Sequence, residues 1–316
     1  MGLLDLFTKK ASSSERTGRP SHARDEDLFD DEFQRKLDYL AMVSRRMFSG
    51  AMRAERRSKK TGSGVEFADH RDYAPGDDFR YLDWHAYQRF ERLLIRLYEE
   101  EEDLSIYFIV DNSASMAFGG GAKLHHAKRL CAALAYVGLA NLDRVTIVTA
   151  TDELSARMPA TRGKARIFRV FRFLSEVTAA GPTDLGDAMK AFAAQHKRRG
   201  LAVLLSDLYD PAGFERGINV LRYAKFEPFV LHLVDPADAK PSLRGDVRIY
   251  DCETGDERDV TVTAKTLERY GAAYEAYLGE VSRYCTSRQV SYFRADVNVP
   301  FDELILRVFR RGGFLR

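Results

Sequence analysis

The sequence predicts an α/β protein: a doubly wound, mostly parallel sheet with helices on both faces. Two observations carry the prediction. Five short apolar runs, at 104–110, 145–150, 201–206, 229–234 and 290–294, are nearly continuous rather than alternating. Strands buried on both faces read that way. Between and around them lie segments with helical spacing, at 123–140, 165–177, 184–199, 213–225 and 264–285. Strands alternating with helices indicate a sheet covered on both sides.

Upstream of this core the chain changes character. Residues 8–27 are rich in Ser, Arg and Lys and poor in apolar side chains, so 1–27 is expected to be a disordered tail. The apolar start at 1–7 is far too short for a signal peptide. From 28 to 57, Phe29, Phe33, Leu37, Leu40, Val43 and Met47 recur every three or four residues, an amphipathic helix signal. Its end is basic: Arg45, Arg46, Arg53, Arg56, Arg57, Lys59 and Lys60 face only Glu55. A solvated helix face explains that run better than nucleic-acid binding, since no aromatic platform lies nearby.

Thr61-Gly62-Ser63-Gly64 breaks the helix. Residues 66–80, with Pro75-Gly76-Asp77-Asp78, and then Asp83-Trp84, predict a compact hydrogen-bonded loop assembly. A strand or strand pair follows at 89–98, and 99–103 is a run of five acids. The segment 28–102 therefore forms an N-terminal helix and β segment, expected to pack on the domain at 103–316. Within that domain, runs at 247–251 and 259–263 joined through Thr254-Gly255 predict a hairpin inserted near 245–263. Residues 301–310 form a closing helix.

Composition excludes several classes. A chain of 316 residues with 45% hydrophobic and 30% charged residues can bury an ordinary globular core. A net charge of +2 gives no argument for nucleic acid. No run approaches the ~20 apolar residues of a membrane span. Cys131, Cys252 and Cys285 form no CxxC pair and leave one thiol over, so reduced thiols in a cytoplasmic protein are expected. No phosphate-binding loop of the Gly-x4-Gly-Lys-Ser/Thr kind is present. His125 and His126 read as surface or capping residues.

The chemistry concentrates at strand ends. Asp111-Asn112-Ser113-Ala114-Ser115 follows the first apolar run, and ligands of open α/β sheets bind outside the carboxyl ends of strands. Asp111, Ser113 and Ser115 offer hard oxygen donors suited to Mg²⁺, Mn²⁺ or Ca²⁺. Two further groups converge if the sheet is doubly wound: Thr183 in Gly181-Pro182-Thr183-Asp184, and Asp207 after the run at 201–206. Singly, Thr183 is a helix N-cap and Asp207 a solvated strand end. Together they place one oxygen group from each of three loops at one end of one sheet. Gly119-Gly120-Gly121 reads as slack that lets the first loop wrap a cation.

These five positions resemble the metal-ion-dependent adhesion site of von Willebrand factor A domains. The segments Gly64-Val65-Glu66-Phe67, Arg71 to Asp78 and Leu82-Asp83-Trp84 resemble the bacterial family "domain of unknown function 58", and the likeness runs from about Thr61 to the C-terminus. Asn112 stands where Thr or Arg is commoner, and Pro182 replaces the second glycine of that loop; neither removes a ligand. The resemblance implies a von Willebrand factor A-like, Rossmann-like fold and a non-enzymatic, metal-dependent protein-interaction module. It also implies an adaptor role with a MoxR-type AAA+ ATPase in protein or complex maturation. Ser113, Ser115 and Thr183 are neutral, so the site is weakly neutralised and open to a Glu or Asp from a partner. The alternative is a metal-dependent phosphohydrolase using Asp111 as nucleophile. Against it, Ser113 stands where a haloacid-dehalogenase-like enzyme needs a second carboxylate, and no dedicated lysine is evident.

Overall fold

The computed structural model describes residues 9–11, 28–48, 57–62, 66–101 and 104–311. The first elements are β1 (Lys9–Ala11), α1 (Asp31–Phe48), β2 (Arg57–Gly62), β3 (Glu66–Asp72), α2 (Trp84–Phe90) and β4 (Leu94–Glu101). Next come β5 (Ser105–Asp111), α3 (Ala122–Ala140), β6 (Arg144–Ala150), β7 (Leu154–Thr161), α4 (Ile167–Glu176), α5 (Leu185–Gln195) and β8 (Leu201–Ser206). The remainder is α6 (Phe214–Tyr223), β9 (Glu227–Val234), α7 (Pro236–Ala239), β10 (Gly245–Asp251), β11 (Glu257–Val262), α8 (Ala264–Ser287), β12 (Ser291–Asp296) and α9 (Phe301–Arg311). The chain divides into two compact units: Met1–Ser44 with Leu104–Phe314, and Arg45–Asp103 with Leu315–Arg316. The division differs from the expected 28–102 segment, because most of α1 belongs with the main sheet.

The main sheet has six strands in the order β12-β9-β8-β5-β6-β7. All neighbours run parallel except β6 and β7. Every residue of β5 and β8 is buried, which is why their sequences read as unbroken apolar runs. One face carries a cluster in which Leu185, Met189 and Phe192 of α5, Phe214 and Ile218 of α6, and Val281 and Cys285 of α8 pack together. On α3, polar and apolar positions alike are buried for most of the helix, the signature of a core helix rather than a surface one. α1 begins at an Asp30 cap whose carboxylate accepts the Phe33 N–H at 2.6 Å. Its Phe33 lies 4.5 Å from the Phe301 ring of α9, and neighbouring Phe29 stacks on Phe171 of α4 at 4.4 Å.

β7 was invisible in the sequence for a physical reason. It is an edge strand, largely exposed, and carries Pro159; such strands tolerate proline and need no apolar run. The inserted hairpin forms as expected, β10 and β11 pairing with each other. β1 adds to β10, so Lys9–Ala11 is paired where composition predicted disorder; an open strand edge accepts any extended segment. The rest of 1–27 lies outside the described residues.

The smaller unit holds a three-stranded sheet, β2-β4-β3. Arg57–Gly62 is a strand, not the end of the N-terminal helix; the apolar helical spacing stops at Met47, ten residues earlier. Trp84–Phe90 is a helix, so the strand expected from 89 begins at Leu94. Asp83 caps that helix through the His85 and Ala86 N–H groups and also accepts from His70 and Arg96. The Arg96 guanidinium and His70 together hold the Asp83 carboxyl well below its usual range. In the Pro-Gly-Asp-Asp turn, Arg71 forks onto Asp77, whose Oδ2 also accepts the Ala74 N–H. The turn at 73–78 is hydrogen-bonded as its Asp and Arg content predicted, but Glu66–Asp72, expected as part of the same loop assembly, is strand β3 paired with β4.

His126 is buried on α3 rather than capping the helix, and its Nε2 finds no partner among the described residues. Burial, helped by His125 and Arg129 and opposed by Asp296, pushes its pKa down to about 4. The unfolded chain binds this proton near the ordinary 6.5, so folding loses stability as pH falls from about 6.5 through 4. A loss on the order of 1–3 kcal/mol is expected from this residue. Denaturation profiles at pH 7 and 4.5 should diverge less for His126→Gln than for the native chain.

Candidate metal site

The site follows from topology. After β5 the chain winds to β6 on one side, and later returns to place β8 on the other side of β5. The strand order thus reverses between β5 and β8, and a crevice opens outside their carboxyl ends. Asp111 closes β5, and Asp207 follows the last residue of β8. Register puts Val110 beside Leu205, so Asp111 and Ser206 face one another. The Ser206 hydroxyl donates to Asp111 Oδ2 at 2.5 Å, and the Ser113 N–H donates to Oδ1 at 2.9 Å.

The first loop turns back on itself through short 3₁₀ turns within Ala114–Gly120, kinked at Phe118 and Gly119. Gly119, Gly120 and Gly121 all have positive φ. The triple glycine thus takes left-handed backbone values that other residues rarely adopt and delivers the chain into α3. Ser113 Oγ lies 3.0 Å from Ser115 Oγ, which donates to Asp207 Oδ1 at 3.3 Å. Asp111, Ser113, Ser115, Thr183 and Asp207 are all at most 5% exposed.

The structure also places a lysine here that the sequence reading overlooked. Lys123, 1% exposed, donates to Asp207 Oδ2 at 2.7 Å and to Asp238 Oδ2 at 3.1 Å. Burial penalises the ammonium, but the two carboxylates outweigh it and hold its pKa above the ordinary value. A signal was available: Lys123 shares the helical stripe of Ala127, Leu130 and Leu134, all buried. His232 braces the opposite side, with Nε2 3.1 Å from the Asp207 carbonyl and Nδ1 3.0 Å from the Tyr292 hydroxyl. Burial pushes its pKa down to about 4, so the neutral ring donates to the carbonyl and accepts from the tyrosine.

Thr183 is not the helix cap. Asp184 caps α5, accepting the Asp187 N–H at 2.8 Å. The Thr183 loop is tied to the first loop by Ala114 N–H to Gly181 O at 3.0 Å and Ala180 N–H to Asn112 O at 2.8 Å. Thr183 itself donates twice to Glu253 of the hairpin turn: Oγ1 to Oε1 at 2.7 Å and N–H to Oε2 at 3.1 Å. Glu253 gave no sequence signal, because an acid in a turn reads as solvated.

The donor set fits a hard cation. Oxygens at neighbouring positions of a Mg²⁺ octahedron lie ~3 Å apart, the spacing seen between Ser113, Ser115 and Asp207. Burial, then repulsion from Asp207, raises the Asp111 pKa despite its hydrogen bonds; a bound cation relieves that repulsion. Among the described residues, no group of three or more His, Cys, Asp or Glu side chains could hold a metal. A cation here would depend on hydroxyls, which excludes soft-metal chemistry.

An α/β sheet with buried carboxylates and hydroxyls at its switch point defines the class. The chain belongs to the family described as "Protein of unknown function DUF58", which matches residues 69–277. An uncharacterized protein of Mycobacterium tuberculosis is 26% identical over 262 residues, 81% of this chain and 82% of that protein. Among solved structures, a conserved hypothetical protein, BatB, from Bacteroides thetaiotaomicron aligns with 14% identity and a TM-score of 0.40. The alignment covers 66% of this chain and 98% of that one. An aerotolerance-related membrane protein from Bacteroides fragilis aligns with 15% identity and a TM-score of 0.39, over 66% and 99%. No described helix of the present chain is long and apolar enough to cross a membrane.

Proposed function

We propose that this chain is a metal-dependent protein-interaction module with a von Willebrand factor A-like domain, its Mg²⁺ held by Asp111, Ser113, Ser115, Thr183 and Asp207. The observation that carries the reading is the Ser113–Ser115–Asp207 chain of oxygens at the switch point, with Asp111 buried beside it. The cation supplies an electrophilic position for a partner's Glu or Asp; the protein's oxygens orient it and exclude bulk water. A MoxR-type AAA+ ATPase is the partner suggested by family resemblance, and the setting suggested by composition is cytoplasmic.

The test is direct. At a hundredfold excess over its dissociation constant, Mg²⁺ stabilises the folded state by about 2.7 kcal/mol, which raises Tm by roughly 5–10 °C. Asp111→Ala should abolish the rise, and EDTA should remove it from the native chain. An equal Tm with Mg²⁺ and with EDTA overturns the reading.

One observation favours the second reading, a phosphohydrolase using Asp111: Lys123 supplies the buried ammonium that such an enzyme needs. Another opposes it: Ser113 still stands in place of the second carboxylate. Turnover of a generic phosphate ester with Mg²⁺, lost in Asp111→Asn, would reverse the preference.

A further inference from the structure

All five candidate ligands are buried, so an external carboxylate has no route to them in this conformation. Yet a carboxylate is already there. Glu253 grips Thr183 with both oxygens, so the turn lies directly against one of the five candidate ligands.

The way Glu253 is held matters. Its turn is closed by Asp251, whose carboxylate accepts the Glu253 and Thr254 N–H groups at 2.9 and 3.1 Å. Glu253 is thus presented by a preformed loop rather than by a wandering side chain. The strands behind it pair with each other and with β1, not with the main sheet. The turn can therefore leave without breaking the six-stranded ladder. The Thr183 proton is committed to Glu253, which leaves the hydroxyl's lone pairs for a cation.

We propose that Glu253 is an internal carboxylate that holds the site closed, and that a partner's acidic residue reaches it only when the hairpin turn is displaced. This rests on the metal-site reading above and adds its regulation. The hairpin is then the element whose movement sets binding, and the chain is self-inhibited at rest. Losing a hydrogen bond to a charged group shifts an equilibrium about tenfold or more, so modest contacts elsewhere on the hairpin suffice to open the site.

The experiment uses the full chain, saturating Mn²⁺ and acetate as the carboxylate probe, read by water-proton relaxation. Glu253→Gln keeps the shape of the turn but loses one acceptor; Glu253→Ala removes the plug. Both variants are expected to bind Mn²⁺, to show more exchangeable water on it than the native chain, and to lose that enhancement at least tenfold more readily with acetate. Equal acetate sensitivity in the native chain and both variants overturns the plug while leaving the metal site standing. Failure of the native chain to bind Mn²⁺ overturns the site and the plug together. Asp111→Ala, which should bind none, identifies signal from other places on the protein.

Discussion

Phe33→Ala is expected to destabilise the sheet-bearing unit by about 3–5 kcal/mol. Phe33 is fully buried. Its ring meets Phe301 at 4.5 Å, Phe29 at 5.3 Å and Phe171 at 6.0 Å, and the Arg129 guanidinium lies 5.1 Å from its centroid. Alanine removes both the transferred apolar area and the aromatic edge contacts, and leaves a cavity walled by rings that cannot all collapse. The Arg129 head group, packed over both Phe33 and Phe301, loses one of its two faces. Tyr39→Ala on the same helix, at a half-exposed position, should cost little. Urea unfolding followed separately for the two units distinguishes the outcomes. A loss under ~1 kcal/mol, or one felt equally by the unit containing β2–β4, would show that α1 is not part of the main core.

Why α1 joins that core was legible in the spacing of Phe29, Phe33, Leu37 and Leu40; where it joins was not. Periodicity reports that a helix has an apolar face, whereas the rings that fill it come from residues more than a hundred positions away. The same limit explains the rest of the reading. β5, β8 and β9 were readable because burial on both faces keeps all but a few of their positions apolar. β7 and β2 were not, because edge strands are shaped by backbone pairing that side chains hardly record. At the site, Asp111 and Asp207 were legible as acids at strand ends. Lys123 was legible only through the apolar stripe it shares with Ala127, Leu130 and Leu134, and Asp238 was hidden because a buried acid looks, taken singly, like a surface charge. Thr183 was placed in the right loop, but its cap role went to Asp184. Glu253 was beyond reach, since only tertiary folding carries the hairpin turn to Thr183.

Lys123→Met should be the most damaging change at the site, costing about 3–5 kcal/mol in chelator. Methionine matches the length of the lysine stem, so the loss is electrostatic rather than a cavity. Without the ammonium, Asp207 and Asp238 are left buried without their shared cation, and a buried charge without a partner costs more than the pair contributed. Burial already raises the Asp238 pKa against the pull of Lys123, so in the variant that carboxyl should take up a proton more readily still. Lys123→Met/Asp238→Leu should recover part of the loss, because one of the two stranded charges is gone. The loss should also shrink in saturating Mg²⁺, since a cation bound at Asp207 does for that carboxylate what the ammonium did. Recovery by Asp238→Leu with no benefit from Mg²⁺ would leave Lys123 as a purely structural ion-pair partner. Benefit from Mg²⁺ would mean that ammonium and metal draw on the same carboxylate. Lys123, already seated on Asp207 Oδ2, would then set how strongly Asp207 and its neighbour Ser115 could hold a cation.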